Sequence, residues 1–157
     1  MGNKTIRNFE IGKIILSVLI VLTIAFIFIQ SMLSKDISGE ESAAVSGWLS
    51  SFINESTFIG AFILKNLRKI AHFVEFGVLG AEFASYALLY TQKKKVAIAI
   101  CLIIDFTIAF IDETIQIFSG RGAAIQDVWI DFFGALSFTA ACVGVFALIR
   151  TIKERKE

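Results

Sequence analysis

Proline is absent from all 157 residues. An interior proline is a common cause of a sharp helix kink, so long helices in this chain run without that device. Cysteine is scarce as well: Cys101 and Cys142 are the only two. Both fall inside apolar stretches with no C-x-x-C or Cys/His spacing around them, so they read as packing residues rather than redox groups or metal ligands. Lys and Arg gather at the ends of apolar stretches instead of forming a basic face, which excludes a nucleic-acid-binding surface. Net charge is only +1. The length suits one compact bundle and leaves no room for a separate soluble domain.

What the chain has in abundance is apolar surface. Hydrophobic residues make up 56%, with 16 Phe and a mean hydropathy of +0.75. Soluble domains average about 45–50% apolar residues even with Gly counted, so this composition belongs to the membrane class. The run from Ile14 to Ser34 is uncharged and long enough to cross about 30 Å of hydrocarbon as a helix. Lys4, Arg7 and Lys13 precede it, as they would precede a signal peptide. The run is longer than a signal core and closes on no A-x-A-like site, so it predicts an uncleaved first helix. Ile70 to Gln92, Val96 to Phe118 and Val128 to Ile149 are three further spans, each interrupted by acids. Together the four predict an all-α polytopic protein, a four-helix transmembrane bundle forming a single domain over 1–157.

Orientation follows from the basic residues. With the N-terminus in the cytoplasm, ten Lys and Arg fall inside (Lys4, Arg7, Lys13, Lys93 to Lys95, Arg150, Lys153, Arg155, Lys156) and five outside (Lys35, Lys65, Arg68, Lys69, Arg121). The excess predicts both termini in the cytoplasm. Between the first two spans, apolar residues recur at three-and-four spacing through Val45, Trp48, Leu49, Phe52 and Ile53, then Ile59, Phe62 and Ile63. Asn54 and Glu55 interrupt them. Residues 43–64 therefore read as an amphipathic segment lying on the outer surface, with Trp48 at head-group level; a buried plug or re-entrant segment is the other reading.

The later spans carry six acids and one histidine: His72, Glu75 and Glu82, then Asp105, Asp112 and Glu113, then Asp131. A carboxylate near the bilayer centre costs about 2.5–3.5 kcal/mol on insertion scales, so such residues are functional-site candidates by default. At 100° per residue, His72, Glu75, Leu79 and Glu82 fall within roughly 80° of one another, and Asp105, Asp112 and Gln116 within about 40°, with Glu113 beside them. Asp127, Asp131 and Gly134 share a face of the last span. With the topology above, most of these groups lie in the outer half of the membrane, and Glu82 and Asp105 near mid-depth. Arg121, flanked by Gly120 and Gly122, is the obvious cation to meet them, with Arg68 and Lys69 as further candidates. Acid–His and acid–Arg pairs can also serve only to hold helices together. The acids outnumber such partners, however, so a bound cation, a shared proton or a cationic ligand group would relieve their repulsion. Small-xxx-small pairs at Gly77/Ala81, Gly80/Ala84 and Ala140/Gly144 predict close helix packing.

The stretch K-I-A-H-F-V-E-F-G-V-L-G (Lys69 to Gly80), followed by D-E-T-I-Q-I-F-S-G-R-G-A-A-I-Q-D-V-W-I-D-F-F-G-A (Asp112 to Ala135), resembles the VanZ-like family of bacterial membrane proteins. The resemblance implies a multi-pass protein of the plasma membrane in a Gram-positive-type cell envelope. The family's namesake is linked to lowered susceptibility to teicoplanin, a lipoglycopeptide acting at the outer cell surface. The family pattern puts His72, Glu75, Asp112, Glu113, Gln116, Arg121, Asp127 and Asp131 at motif positions and brings no chemical mechanism with them.

Three functions stay open on these residues. The first is an acidic intramembrane site, open to the outer leaflet, that acts on a lipid, a lipid-linked precursor or surface composition. The second is a metal-dependent intramembrane enzyme working on a lipid head group. In that reading Asp112, Glu113, Asp127 and Asp131 hold Mg²⁺ or Mn²⁺, and Arg121 holds phosphate. The third is a proton- or cation-coupled carrier with Glu82 and Asp105 as the relay, although four helices without an evident internal repeat are few for a carrier.

Overall fold

The computed structural model describes residues 2–33, 35–54, 56–120 and 124–155. Among them every regular element is a helix: α1 (Gly2–Met32), α2 (Lys35–Ser50), α3 (Phe58–Lys65), α4 (Leu67–Tyr90), α5 (Lys94–Phe118) and α6 (Ile125–Glu154). The outer segment expected over 43–64 is thus two helices with a turn between them. Asn54 builds that turn by accepting from the Ser56 backbone N–H at 3.0 Å and its hydroxyl at 2.6 Å. Thr57 then caps α3, accepting from the Gly60 N–H at 3.1 Å. Gly60 has no alternative here, because a Cβ would lie 2.1 Å from the Asn54 carbonyl oxygen. Asn66 ends α3 and begins α4 without a gap. Its backbone N–H donates to the Phe62 and Ile63 carbonyls, while its own carbonyl accepts from Ile70 at 3.0 Å.

The molecule's polarity is inverted relative to a water-soluble domain. Its exterior is apolar: Ile14, Val21, Ile29, Ile103, Phe110, Val145 and Leu148 are all more than half exposed. Its interior holds Ser31, Asp105, Asp112, Glu113, Gln116, Asp131 and Thr139 beside Ile27, Phe76, Leu79, Ile108, Ala109 and Ala135. Water would not tolerate that exterior, and hydrocarbon would not tolerate that interior turned outward. Among the described residues, three helices are long and apolar enough to cross a membrane, over Phe9–Met32, Leu67–Tyr90 and Ile125–Glu154. α5 is as long but takes Asp105, Asp112 and Glu113 into its buried face.

The four long helices alternate in direction. Thr23 of α1 donates to Glu82 of α4 at 3.1 Å, and Phe9 stacks edge-on against Tyr90 at 4.9 Å, so α1 and α4 run antiparallel. α4 and α6 run parallel, in register from the Lys69–Asp127 pair to the Thr139 hydroxyl on the Gly80 carbonyl at 3.1 Å. They form the most extensive helix pair of the bundle. Glycine permits the approach. A Cβ at Gly134 would sit 2.2 Å from the Phe73 carbonyl oxygen, and one at Gly80 would sit 2.5 Å from that of Ala135. Of the expected small-residue pairs, Gly80 and Ala84 are buried in this way, whereas Ala140 and Gly144 are exposed and no neighbouring atom approaches Gly144.

Candidate functional site

One end of the bundle gathers the start of α4, the end of α5, the start of α6 and the end of α1. A cavity of about 160 Å³ opens there, lined by Lys65, Arg68, Lys69, His72, Glu113, Asp127 and Asp131, with Asn66 and Ile130. Its rim is cationic and its floor acidic. Helix periodicity accounts for the floor. Asp112 and Gln116 lie one turn apart on α5, and Asp127 and Asp131 one turn apart on α6, so each helix presents both groups to the same side.

The floor is a connected network. His72 Nδ1 lies 3.8 Å from Asp112 Oδ2 and 3.8 Å from Asp131 Oδ1. Gln116 Nε2 donates to Asp112 Oδ2 at 2.8 Å, and the Ser31 hydroxyl donates to Asp112 Oδ1. Arg68 in turn donates to Gln116 Oε1. Ser119, closing α5, donates to the Ser31 carbonyl at 2.8 Å and so ties α1 to this end of the bundle. Gly120 follows at φ 73, the left-handed conformation that commonly ends a helix. Glu113, beside Asp112 but turned toward α6, accepts the Ala124 backbone N–H at 3.1 Å. Lys69 Nζ pairs with Asp127 Oδ1 at 3.3 Å.

Most of the residues expected to meet therefore do meet. His72, Asp112, Glu113, Gln116, Asp127 and Asp131 surround one cavity or its buried wall, with Arg68 and Lys69 as the cations that reach them. Glu75 instead lines a groove between α1 and α4, with Thr23, Phe26 and Val74. Arg121, the cation expected to cover the acids, lies outside the described residues, as does Gly122. Of the two acids expected near mid-depth, Glu82 accepts from Thr23, whereas Asp105 is fully buried and neither of its oxygens has a hydrogen-bond partner.

Sequence reasoning missed Ser31. The signal was present: Thr23, Ile27 and Ser31 recur every four residues in a run that is otherwise almost wholly apolar. Ile27 and Ser31 are both fully buried, so this stripe is the face α1 turns to the bundle.

Gln116 is the joint of the network, since it serves Asp112 and Arg68 at once. Gln116→Leu removes both bonds, taking one donor from the buried Asp112 carboxylate and the acceptor from the partly buried Arg68. A loss of about 1–3 kcal/mol is expected, read as a lower thermal midpoint in detergent. An unchanged midpoint would show that the network adds no stability.

A helical membrane protein with a buried polar centre fed by four helices is the class that fold and site define. Residues 14–148, most of the chain, match the VanZ/LLP1 family, and the chain belongs to that family. The kinship read from the Lys69–Gly80 and Asp112–Ala135 motifs therefore holds. No curated protein and no solved structure matches it.

Proposed function

We propose that this VanZ-type protein binds and acts on the polar head of an anionic lipid, or of a lipid-linked envelope precursor, from the outer leaflet of the plasma membrane. The observation that carries this reading is a pair of adjoining spaces. The polar cavity shares Asn66, Lys69 and Ile130 with an apolar groove of about 330 Å³ lined by Phe62, Ile70 and Phe73. A polar pocket with a cationic rim, adjoining an apolar groove at the bundle surface, has the shape of an amphiphile. At about 160 Å³ the pocket is small for a drug-sized molecule but ample for a phosphate-sized head group. Lys65, Arg68 and Lys69 supply the donors such a group requires.

Topology supports the same reading. Because α4 and α6 are parallel, the chain must return between them, and α5, with its 25 residues, is the helix that does so. Counting α5 as the fourth crossing brings both termini to one side, the cytoplasmic side by the distribution of Lys and Arg. The cavity then opens outward. An altered population of surface lipid or precursor is the route by which susceptibility to teicoplanin-type lipoglycopeptides would change.

The test is a lipid and lipid-linked-precursor profile of a deletion strain, its complemented parent and a strain complemented with Arg68→Ala present at normal level in the membrane. One lipid class should shift on deletion, return with the wild-type gene and stay shifted with Arg68→Ala. Identical profiles in all strains would reject the proposal.

A further inference from the structure

Three side chains from three different helices meet at the inner wall of the cavity. The geometry points to a divalent-cation site made by His72, Asp112 and Asp131, taking an ion of the Zn²⁺ or Mn²⁺ class whose open position faces the cavity and receives the anionic head group. This inference rests on the reading of the cavity as the head-group site.

Distance is the first argument. The ligand atoms of His72, Asp112 and Asp131 all lie within 4.8 Å of one another, with the imidazole nitrogen 3.8 Å from a carboxylate oxygen on either side. An ion with bonds of about 2.1 Å in tetrahedral geometry needs its ligands about 3.4 Å apart. Rotamer adjustments of an ångström or less would close the site.

Asp131 is the second and independent argument. It is 0% exposed, it lines the cavity, and neither of its oxygens has a hydrogen-bond partner. A buried carboxylate left so is costly. The neighbouring cations are directed elsewhere, Lys69 to Asp127 and Arg68 to Gln116. His72 Nδ1, the nearest basic atom, stands 3.8 Å from Asp131 Oδ1, beyond hydrogen-bonding distance, and a metal ion between the two would bond both.

The surroundings also have the form of a metal centre. Asp112 is oriented by the Ser31 hydroxyl and the Gln116 amide, while its oxygens keep lone pairs for a metal. Imidazole together with two carboxylates suits Zn²⁺ or Mn²⁺ better than Ca²⁺ or Mg²⁺. Three protein ligands leave a coordination position for an incoming group. The four carboxylates expected from sequence to share a metal thus divide. Asp112 and Asp131 join His72, Glu113 caps the start of α6 through the Ala124 N–H, and Asp127 pairs with Lys69.

Binding is measured on the full-length protein in lipid nanodiscs titrated with Mn²⁺, with Zn²⁺ as competitor. One Mn²⁺ per chain is expected, displaced by Zn²⁺, with imidazole nitrogen coupling in its pulsed electron paramagnetic resonance spectrum. His72→Gln should abolish that coupling, and both His72→Gln and Asp131→Asn should weaken binding at least tenfold. Glu113→Gln should keep one equivalent. The wild-type spectrum decides the matter even if a variant fails to fold: no saturable Mn²⁺ or Zn²⁺, or bound Mn²⁺ without nitrogen coupling, overturns the site. A lipid phenotype without metal binding would remove this inference and leave the proposed function standing. Metal binding without any lipid phenotype would keep the cation site itself and remove both the proposed function and the head group as the ion's incoming ligand.

Discussion

Alanine at Gly134 should cost more stability than alanine at any other glycine of the α4–α6 contact. Its Cβ would lie 2.2 Å from the Phe73 carbonyl oxygen, 2.9 Å from the carbonyl carbon and 3.1 Å from the Cα. All three atoms are backbone, so no rotamer change relieves the contact. α6 would have to withdraw from α4 by about an ångström, which places the cost at about 3 kcal/mol or more, the upper end for overpacking. The same displacement would open the site, because Phe73 follows His72 directly and Gly134 lies one turn beyond Asp131. Unfolding by denaturing detergent should therefore shift to much lower concentration, and Mn²⁺ affinity should fall with it. Gly144→Ala is the internal control. No atom approaches that position, so alanine there should be neutral or stabilising by up to about 1 kcal/mol through helix propensity alone. Equal stability of Gly134→Ala and the wild type would show that the α4–α6 contact is not tight.

The contrast between Gly134 and Gly144 also marks how far the sequence could be read. The four apolar runs overlap α1, α4, α5 and α6, but α1 begins at Gly2 rather than Ile14 and α6 runs on to Glu154, since a helix continues past an apolar run wherever nothing breaks it. Periodicity placed Asp112 with Gln116 and Asp127 with Asp131, because residues one turn apart face the same way whatever they pack against. It could not choose between Asp112 and Glu113, neighbours 100° apart on α5, as the companion of His72; that choice depends on how α5 is rotated against α6. Nor could it tell that Gly80 and Gly134 meet backbone while Gly144 meets nothing, since small-residue spacing says only that approach is permitted. Ser31 differs: its spacing from Thr23 and Ile27 marks the face that α1 turns to the bundle, but not the Asp112 carboxylate that it meets there.

Asp105 yields the opposite kind of result from Asp112, seven residues away on the same face of α5. Both are fully buried. Asp112 has Ser31 and Gln116 as donors, whereas neither Asp105 oxygen has a hydrogen-bond partner, and the buried residues just beyond it, Ile108 and Ala109, are apolar. A buried polar group without a partner costs about 1–3 kcal/mol, so Asp105→Val should raise the unfolding midpoint by an equivalent amount. Asp112→Val should lower it, because two buried donors lose their acceptor. Opposite signs for one substitution at two acids of one helix face would be hard to obtain from packing alone, and a midpoint lowered by both would refute the account of Asp105. The consequence for function follows from the sign. A buried polar group that costs stability is a candidate for a working role, because such exceptions gather at functional sites. If the stabilised Asp105→Val protein loses its effect on the lipid profile, Asp105 belongs to the working part of the site, and Glu82, held by Thr23 on the neighbouring helix, is the next acid to replace.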